Sequence, residues 1–129
     1  NYGKLVTPHF ILGDKEKEEN FRTINNIAPE YFDVVHEGMR QAVTYGTAIA
    51  LNVPYVKVAA KTGTAELGVK KNKVNSWIVG FFPYENPKYV FTVMMESGPS
   101  TSSGGGSSVM RGLLDFMSTE TPEYFESNS

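Results

Sequence analysis

Apolar side chains recur at three- and four-residue steps over residues 29–45, where Tyr31, Phe32, Val35, Met39, Ala42 and Val43 share one helical face. Glu30 and Asp33 sit near the start of that segment and Gly46 stands just past its end, so the pattern predicts an amphipathic helix with matching start and stop signals. Three runs follow that are rich in Val, Ile, Tyr, Phe, Trp and Thr, at residues 55–64, 76–82 and 89–96, and each predicts a strand. Pro83-Tyr84-Glu85-Asn86-Pro87 is short enough to join the second and third as an antiparallel hairpin, and the polar stretch 66–75 does the same for the first and second. A three-stranded meander is expected.

Residues 97–106 are Gly- and Ser-rich and cannot bury a core, so they predict a connector. Beyond it, Val109, Met110, Leu113, Leu114, Phe116 and Met117 form one wide apolar face, which predicts a second helix over about 106–117 lying on the sheet. Residues 119–129 read as a polar, frayed tail. At the other end, residues 1–13 predict a short extended stretch broken by Pro8, and the charged run 14–19 an exposed loop. The fold class is α+β, an antiparallel sheet covered by helices.

Composition narrows the function. The 129 residues are 40% hydrophobic, carry a net charge of −2 and include no cysteine, which suits a globular segment with one modest core and excludes a disulfide framework. Basic residues are scattered and outnumbered by acidic ones, so nucleic acid is not an expected partner. Lys70, Lys71 and Lys73 read as a solvated hairpin tip. No apolar run approaches the roughly 20 residues that span a bilayer, and no signal peptide is recognisable. The chain opens on Asn1 rather than Met, from which a cut boundary is expected. His9 and His36 have no partners at metal-ligand spacing, so no metal and no cofactor are assigned.

The chemistry concentrates in Val58-Ala59-Ala60-Lys61-Thr62-Gly63-Thr64-Ala65, an apolar lead into Lys-Thr-Gly-Thr. That tetrad is one of three short motifs of the penicilloyl serine transferases, which acylate a serine with a D-Ala-D-Ala peptide or a β-lactam. The other two motifs are missing. A nucleophile motif needs Ser followed three places later by Lys, yet Ser76 is followed there by Val79 and Ser108 by Arg111. The nearest approach to Ser-x-Asn is Tyr84-Glu85-Asn86, which reads as turn chemistry between two prolines.

Further blocks stand in order around the tetrad. Tyr2-Gly3-Lys4-Leu5-Val6-Thr7-Pro8-His9, Glu37-Gly38-Met39-Arg40, Gly46-Thr47-Ala48 and Trp77-Ile78-Val79-Gly80-Phe81-Phe82-Pro83 accompany it, with a strand ending at Glu96. Together the blocks resemble the C-terminal part of the transpeptidase domain of a class B penicillin-binding protein, of the elongation type that works with the rod-shape machinery.

The resemblance implies specific roles. Lys61 borders the nucleophile and polarises the hydroxyl network around it. The Thr62 and Thr64 hydroxyls bind the terminal carboxylate of a stem peptide or a β-lactam, Gly63 leaves room for close approach, and the Thr64 N–H forms half of an oxyanion hole. It also implies that the remainder of the domain is supplied as a second chain or missing segment. The whole is then anchored by an N-terminal helix outside this chain, at the outer face of the bacterial cytoplasmic membrane, beside the cell-elongation machinery.

Simpler structural roles are expected elsewhere. Trp77, Phe81, Phe82, Phe91 and Met94 read as core or sheet-face packing, Glu66 as a solvated carboxylate near the turn, and Glu37 with Arg40 as a weak helical pair. Two other functions share the strand motif: a β-lactam sensor or serine β-lactamase fragment, and a non-catalytic fragment that keeps only the sheet.

Overall fold

A computed structural model describes residues 1–6, 21–24, 26–101 and 105–125. His9 and the charged run 14–19 lie outside the described residues. The chain falls into two compact units, residues 1–36 and 37–129.

In the first unit, β1 (Lys4–Val6) pairs antiparallel with β2 (Phe21–Thr23), Leu5 opposite Arg22. Tyr2 and Gly3 adopt positive φ, and a Cβ at Gly3 would stand 3.0 Å from the Phe32 ring, so the tight turn suits glycine there. The Tyr2 hydroxyl donates to Asp33 at 2.7 Å, and its ring meets Phe32 and His36 edge-on. His36 thereby has a packing role.

Helix α1 (Pro29–Thr44) carries Glu30 in its first turn, as the pattern predicts. Its last residues reach the core of the second unit through Val43, which is fully buried. Gly46 ends the helix by close approach. A Cβ there would lie 2.8 Å from the Ala42 Cα, and the Ala48 N–H closes back onto the Ala42 carbonyl at 2.9 Å.

The second unit is built on one antiparallel sheet in the order β3 (Ala59–Leu67), β4 (Lys73–Phe82), β5 (Tyr89–Pro99), the expected meander. Helix α2 (Gly105–Glu120) packs on β4 and β5. Leu51, Val58, Ile78, Met110 and Leu114 fill the layer between, together with Val43. An apolar layer of this kind is the main source of stability in a small domain.

The strand bounds differ from those read in the sequence, each time for a backbone reason. Residues 55–58 are not strand. Pro83 has no N–H to extend the ladder beyond the Ala59–Phe81 pair, so Lys57 instead accepts from Tyr84 N–H at 2.9 Å, and the Val58 carbonyl accepts from the Arg40 guanidinium at 3.0 Å. The apolar Val53 and Val56 enter the core from irregular chain.

At the far end, β3 and β4 run on through polar residues and leave only residues 68–72 as a turn, with positive φ at Gly68 and Lys71. β5 continues to Pro99 past an irregularity between Val74 and Ser76, where the Asn75 side chain accepts from Ser97 N–H at 2.9 Å.

α2 begins within the Gly-rich run. The Gly106 N–H donates to the Ser76 hydroxyl at 3.2 Å, and a Cβ at Gly105 or Gly106 would stand 2.4 Å from that oxygen or 3.1 Å from Ile78 Cγ2. The glycines let the helix start against the sheet. The described part of the segment read as a frayed tail is structured. Thr119 and Glu120 belong to α2, a 3₁₀ turn spans Pro122–Tyr124, and the Phe125 ring stacks on Tyr55 and meets Phe82 edge-on.

Candidate functional site

β3 is an edge strand. Among the described residues it pairs with β4 alone, which leaves its outer row of N–H and C=O groups without a strand partner. The register places Lys61 opposite Val79, Thr62 opposite Ile78, Gly63 opposite Trp77 and Thr64 opposite Ser76. Because side chains alternate, the two faces of the tetrad meet different surroundings.

Thr62 falls on the α2 side, in line with buried Ala60 and Ile78. Lys61 and Gly63 fall on the opposite side with Val79 and Trp77, and Thr64 is exposed farther along the strand. The strand thus presents a cation, two hydroxyls and an unhindered glycine within four residues. Lys61 Nζ donates to the Thr62 carbonyl within the strand.

Gly63 is not demanded by packing. A Cβ there would meet only Trp77 Cβ, at an ordinary 3.5 Å. Gly80, opposite Ala60, is different: its Cβ would lie 2.4 Å from the Ala59 carbonyl oxygen and 2.5 Å from the Phe91 ring. A signal in the sequence hinted at Gly80 only as part of a longer block, with no role attached.

Thr47 was likewise legible only as part of the Gly46-Thr47-Ala48 block, and it reaches the tetrad. Its hydroxyl lies 2.7 Å from that of Thr62. Gly46 on one side is pressed on Ala42, and Ala48 on the other is fully buried. Thr47 itself is exposed, but its backbone is fixed at both neighbours.

Several neighbouring residues play other parts than those expected. Glu37 accepts from Gln41 and from the Tyr84 hydroxyl, each at 3.0 Å, while Arg40 serves Val58, so the helical pair between them is replaced by two separate anchors. Glu66, near the end of β3, pairs with Lys71 across the hairpin turn at 2.9 Å and stays exposed, the solvated carboxylate near the turn that was expected. Lys57 pairs with Glu85, holding the latter's carboxyl below its ordinary range. Of the five aromatic and Met side chains expected as packing, Phe82 is buried, Phe91 joins the core and Phe81 stacks on Tyr84, whereas Trp77 and Met94 stay 38% and 41% exposed on the sheet face opposite α2.

A second polar cluster had no sequence signal beyond the four-residue spacing of its ion pair. Asp115 receives the Tyr55 hydroxyl at 2.5 Å and the Arg111 Nε at 2.9 Å to both oxygens, while Arg111 Nη1 donates to the Ala50 carbonyl at 3.1 Å. Desolvation, and then the hydrogen bond to Asp115, push the Tyr55 phenol up to about 12. The Tyr55 hydroxyl and then Arg111 hold the Asp115 carboxyl below its ordinary range. This cluster ties α2 to the segment leading into β3 and lies among structural groups.

Among the described residues no three His, Cys, Asp or Glu side chains gather as a metal site, and no helix is long and apolar enough to cross a membrane.

Comparison with known proteins gives these observations a context. Residues 1–115 match the family described as the penicillin binding protein transpeptidase domain. The peptidoglycan D,D-transpeptidase MrdA of Haemophilus influenzae is 29% identical over 143 aligned positions, covering 90% of this chain and 21% of that protein. A solved structure of penicillin-binding protein PBP2 from Helicobacter pylori is 33% identical and superposes with a TM-score of 0.68, covering 95% of this chain and 22% of that one. The same bacterium's PBP2 in complex with MreC is similar at 32% identity and a TM-score of 0.69, again over 95% and 22%. The chain therefore spans about a fifth of the length of the relatives it matches.

Proposed function

The chain belongs to the penicillin-binding protein transpeptidase family, and from that premise we propose that it forms one wall of the acylation cleft of a peptidoglycan D,D-transpeptidase. The observation that carries this reading is the outer edge of β3, which has no strand partner among the described residues and bears Lys61, Thr62, Gly63 and Thr64 in an ordered ladder with β4. A free strand edge takes an extended peptide as an added strand, main-chain hydrogen bonds supplying affinity. Gly63, which packing within the chain does not require, keeps that approach clear.

The roles follow the chemistry. A serine outside these 129 residues attacks the penultimate D-Ala carbonyl carbon, the C–N bond to the terminal D-Ala breaks, and D-Ala leaves with a proton on its amine. An amine of a second stem peptide then attacks the acyl-serine ester, forming the cross-link and returning the serine hydroxyl. Lys61 borders that serine and polarises the hydroxyl network around it. The Thr62 and Thr64 hydroxyls donate to the carboxylate of the donor peptide or of a β-lactam. The Thr64 N–H faces the developing oxyanion, a donor whose loss typically costs about 2.7–4 kcal/mol of transition-state stabilisation.

The rest of the domain, a membrane anchor and the outer-face location belong to the same reading, and the rod-shape machinery is the partner. The H. pylori PBP2 complex with MreC supports that choice of partner. Acylation of the full-length protein by a fluorescent penicillin tests the whole. The label should map to a serine outside this chain and should be lost in Lys61→Ala; label on one of this chain's own serines overturns the assignment. Fast release of the label, with hydrolysed penicillin as product, would transfer the reading to a β-lactamase.

A further inference from the structure

We propose that Thr47 is a positioning residue that turns the Thr62 hydroxyl toward the substrate carboxylate; the inference rests on the reading of Thr62 as a carboxylate ligand. The two hydroxyl oxygens are 2.7 Å apart, and either can be the donor. Each hydroxyl owns one proton, so the direction of the shared bond decides what Thr62 can still do. If Thr62 donates to Thr47, it has nothing left to donate and meets an anion only with lone pairs. If Thr47 donates, the Thr62 proton is free, and the bond it receives polarises its own O–H.

An ionised carboxylate only accepts, so its arrival selects the second arrangement. The fold prepares for it. Gly46 is pressed on the Ala42 backbone and Ala48 is fully buried, so Thr47 is fixed from both sides although exposed itself. Thr62 is β-branched on a strand, where χ1 is already restricted. Little rotamer freedom remains to be lost when the anion binds.

A bond that merely ties the loop after α1 to β3 would look the same at rest, and the test separates the two. Acylation rate constants of the full-length protein are measured with benzylpenicillin and with its methyl ester, which lacks the anion. Thr47→Val should slow the free acid about tenfold, the scale of one hydrogen bond to a charged group, and leave the ester unchanged. Thr47→Ser should restore the acid rate, and Thr47→Val added to Thr62→Val should cost nothing more.

Equal slowing of acid and ester by Thr47→Val, or no slowing while Thr62→Val is slow, overturns the positioning role and leaves the carboxylate assignment intact. An acid-to-ester ratio that Thr62→Val fails to change overturns the carboxylate assignment itself.

Discussion

Gly80→Ala is the sharpest perturbation of the strand that carries the tetrad, because it acts from the neighbouring strand without touching Lys61, Thr62, Gly63 or Thr64. The new methyl would lie 2.4 Å from the Ala59 carbonyl oxygen, where real Cβ atoms essentially never come closer than 3.0 Å. The deficit of about 0.6 Å must be absorbed by the β3 backbone, since a carbonyl in a ladder has no rotamer to change. The Phe91 ring, 2.5 Å away on the other side, can swing only into the layer that α2 closes.

Overpacking of this kind typically costs about 1–3 kcal/mol. For a domain of 150–250 residues, each kcal/mol lowers Tm by about 2–4 °C, so a fall of roughly 2–12 °C is expected. The functional loss should exceed what stability alone explains. A displacement approaching 1 Å in a positioned catalytic group can cost about a hundredfold in rate, and on the proposed reading Lys61, two residues from the displaced carbonyl, is such a group. Differential scanning fluorimetry and penicillin acylation of the full-length variant, both well below its Tm, give the two numbers. Unchanged melting together with an unchanged acylation rate would refute the argument that the β3–β4 spacing is set by this glycine.

Leu114→Ala opens a cavity under α2 at a fully buried site, and chemical denaturation should register a loss of about 2–5 kcal/mol. Gly46→Ala places a methyl 2.8 Å from the Ala42 Cα; it should lower Tm and, by moving Thr47, slow acylation by penicillin more than acylation by its methyl ester. Spectrophotometric titration should show one tyrosine ionising near pH 12 that Tyr55→Phe removes. Because the phenol is raised in the folded state, its contribution to stability is complete below the ordinary value of 10.0 and fades as pH climbs through about 12. Asp115 is lowered in the folded state, so its contribution is complete above 3.8 and fades as pH falls through the depressed value; Asp115→Asn should flatten the acid limb of the stability curve. The 129 residues on their own should self-associate in light scattering, since Val79, Val90 and Met94 are exposed on the sheet face opposite α2, and a monodisperse monomer would contradict that.

The meander and both helices were legible because period-2 and 3.6-period patterns survive in the sequence wherever one face is buried and the other is not. The bounds were less so. Residues 55–58 have strand-like side chains, but the missing N–H of Pro83 ends the ladder before them. Lys73, Glu66 and Leu67 look like loop composition, yet a hairpin ladder needs only backbone groups and admits them. The run Gly104-Gly105-Gly106 looks like a linker because composition does not reveal that α2 starts against the sheet, where a Cβ at Gly106 would stand 3.1 Å from Ile78 Cγ2. At the site, the tetrad announced itself through residue type and order. Thr47 did not, because its contact with Thr62 joins positions 15 apart in sequence through a turn whose shape depends on Gly46.

The alternation along β3 explains how one strand can serve both stability and the proposed chemistry. Ala60 and Thr62 look toward α2, and Ala60 is fully buried there, so the strand's height above the sheet is fixed by the core. Lys61 and Gly63 look the other way, where Val79 and Trp77 are partly exposed. A charge on Lys61 would be costly if both faces were covered by apolar side chains, and a free edge would be blunted if β3 lay inside the sheet. An edge position with one buried face meets both demands: the backbone is held rigid from behind while its outer hydrogen-bonding row, its cation and its glycine stay available. Moving the tetrad by a single residue along the ladder would turn Lys61 into the core and Thr62 out of reach of Thr47, because a register slip exchanges the two faces of the strand. Gly80 admits the close approach of β4 in that register, since a Cβ there would lie 2.4 Å from the Ala59 carbonyl oxygen.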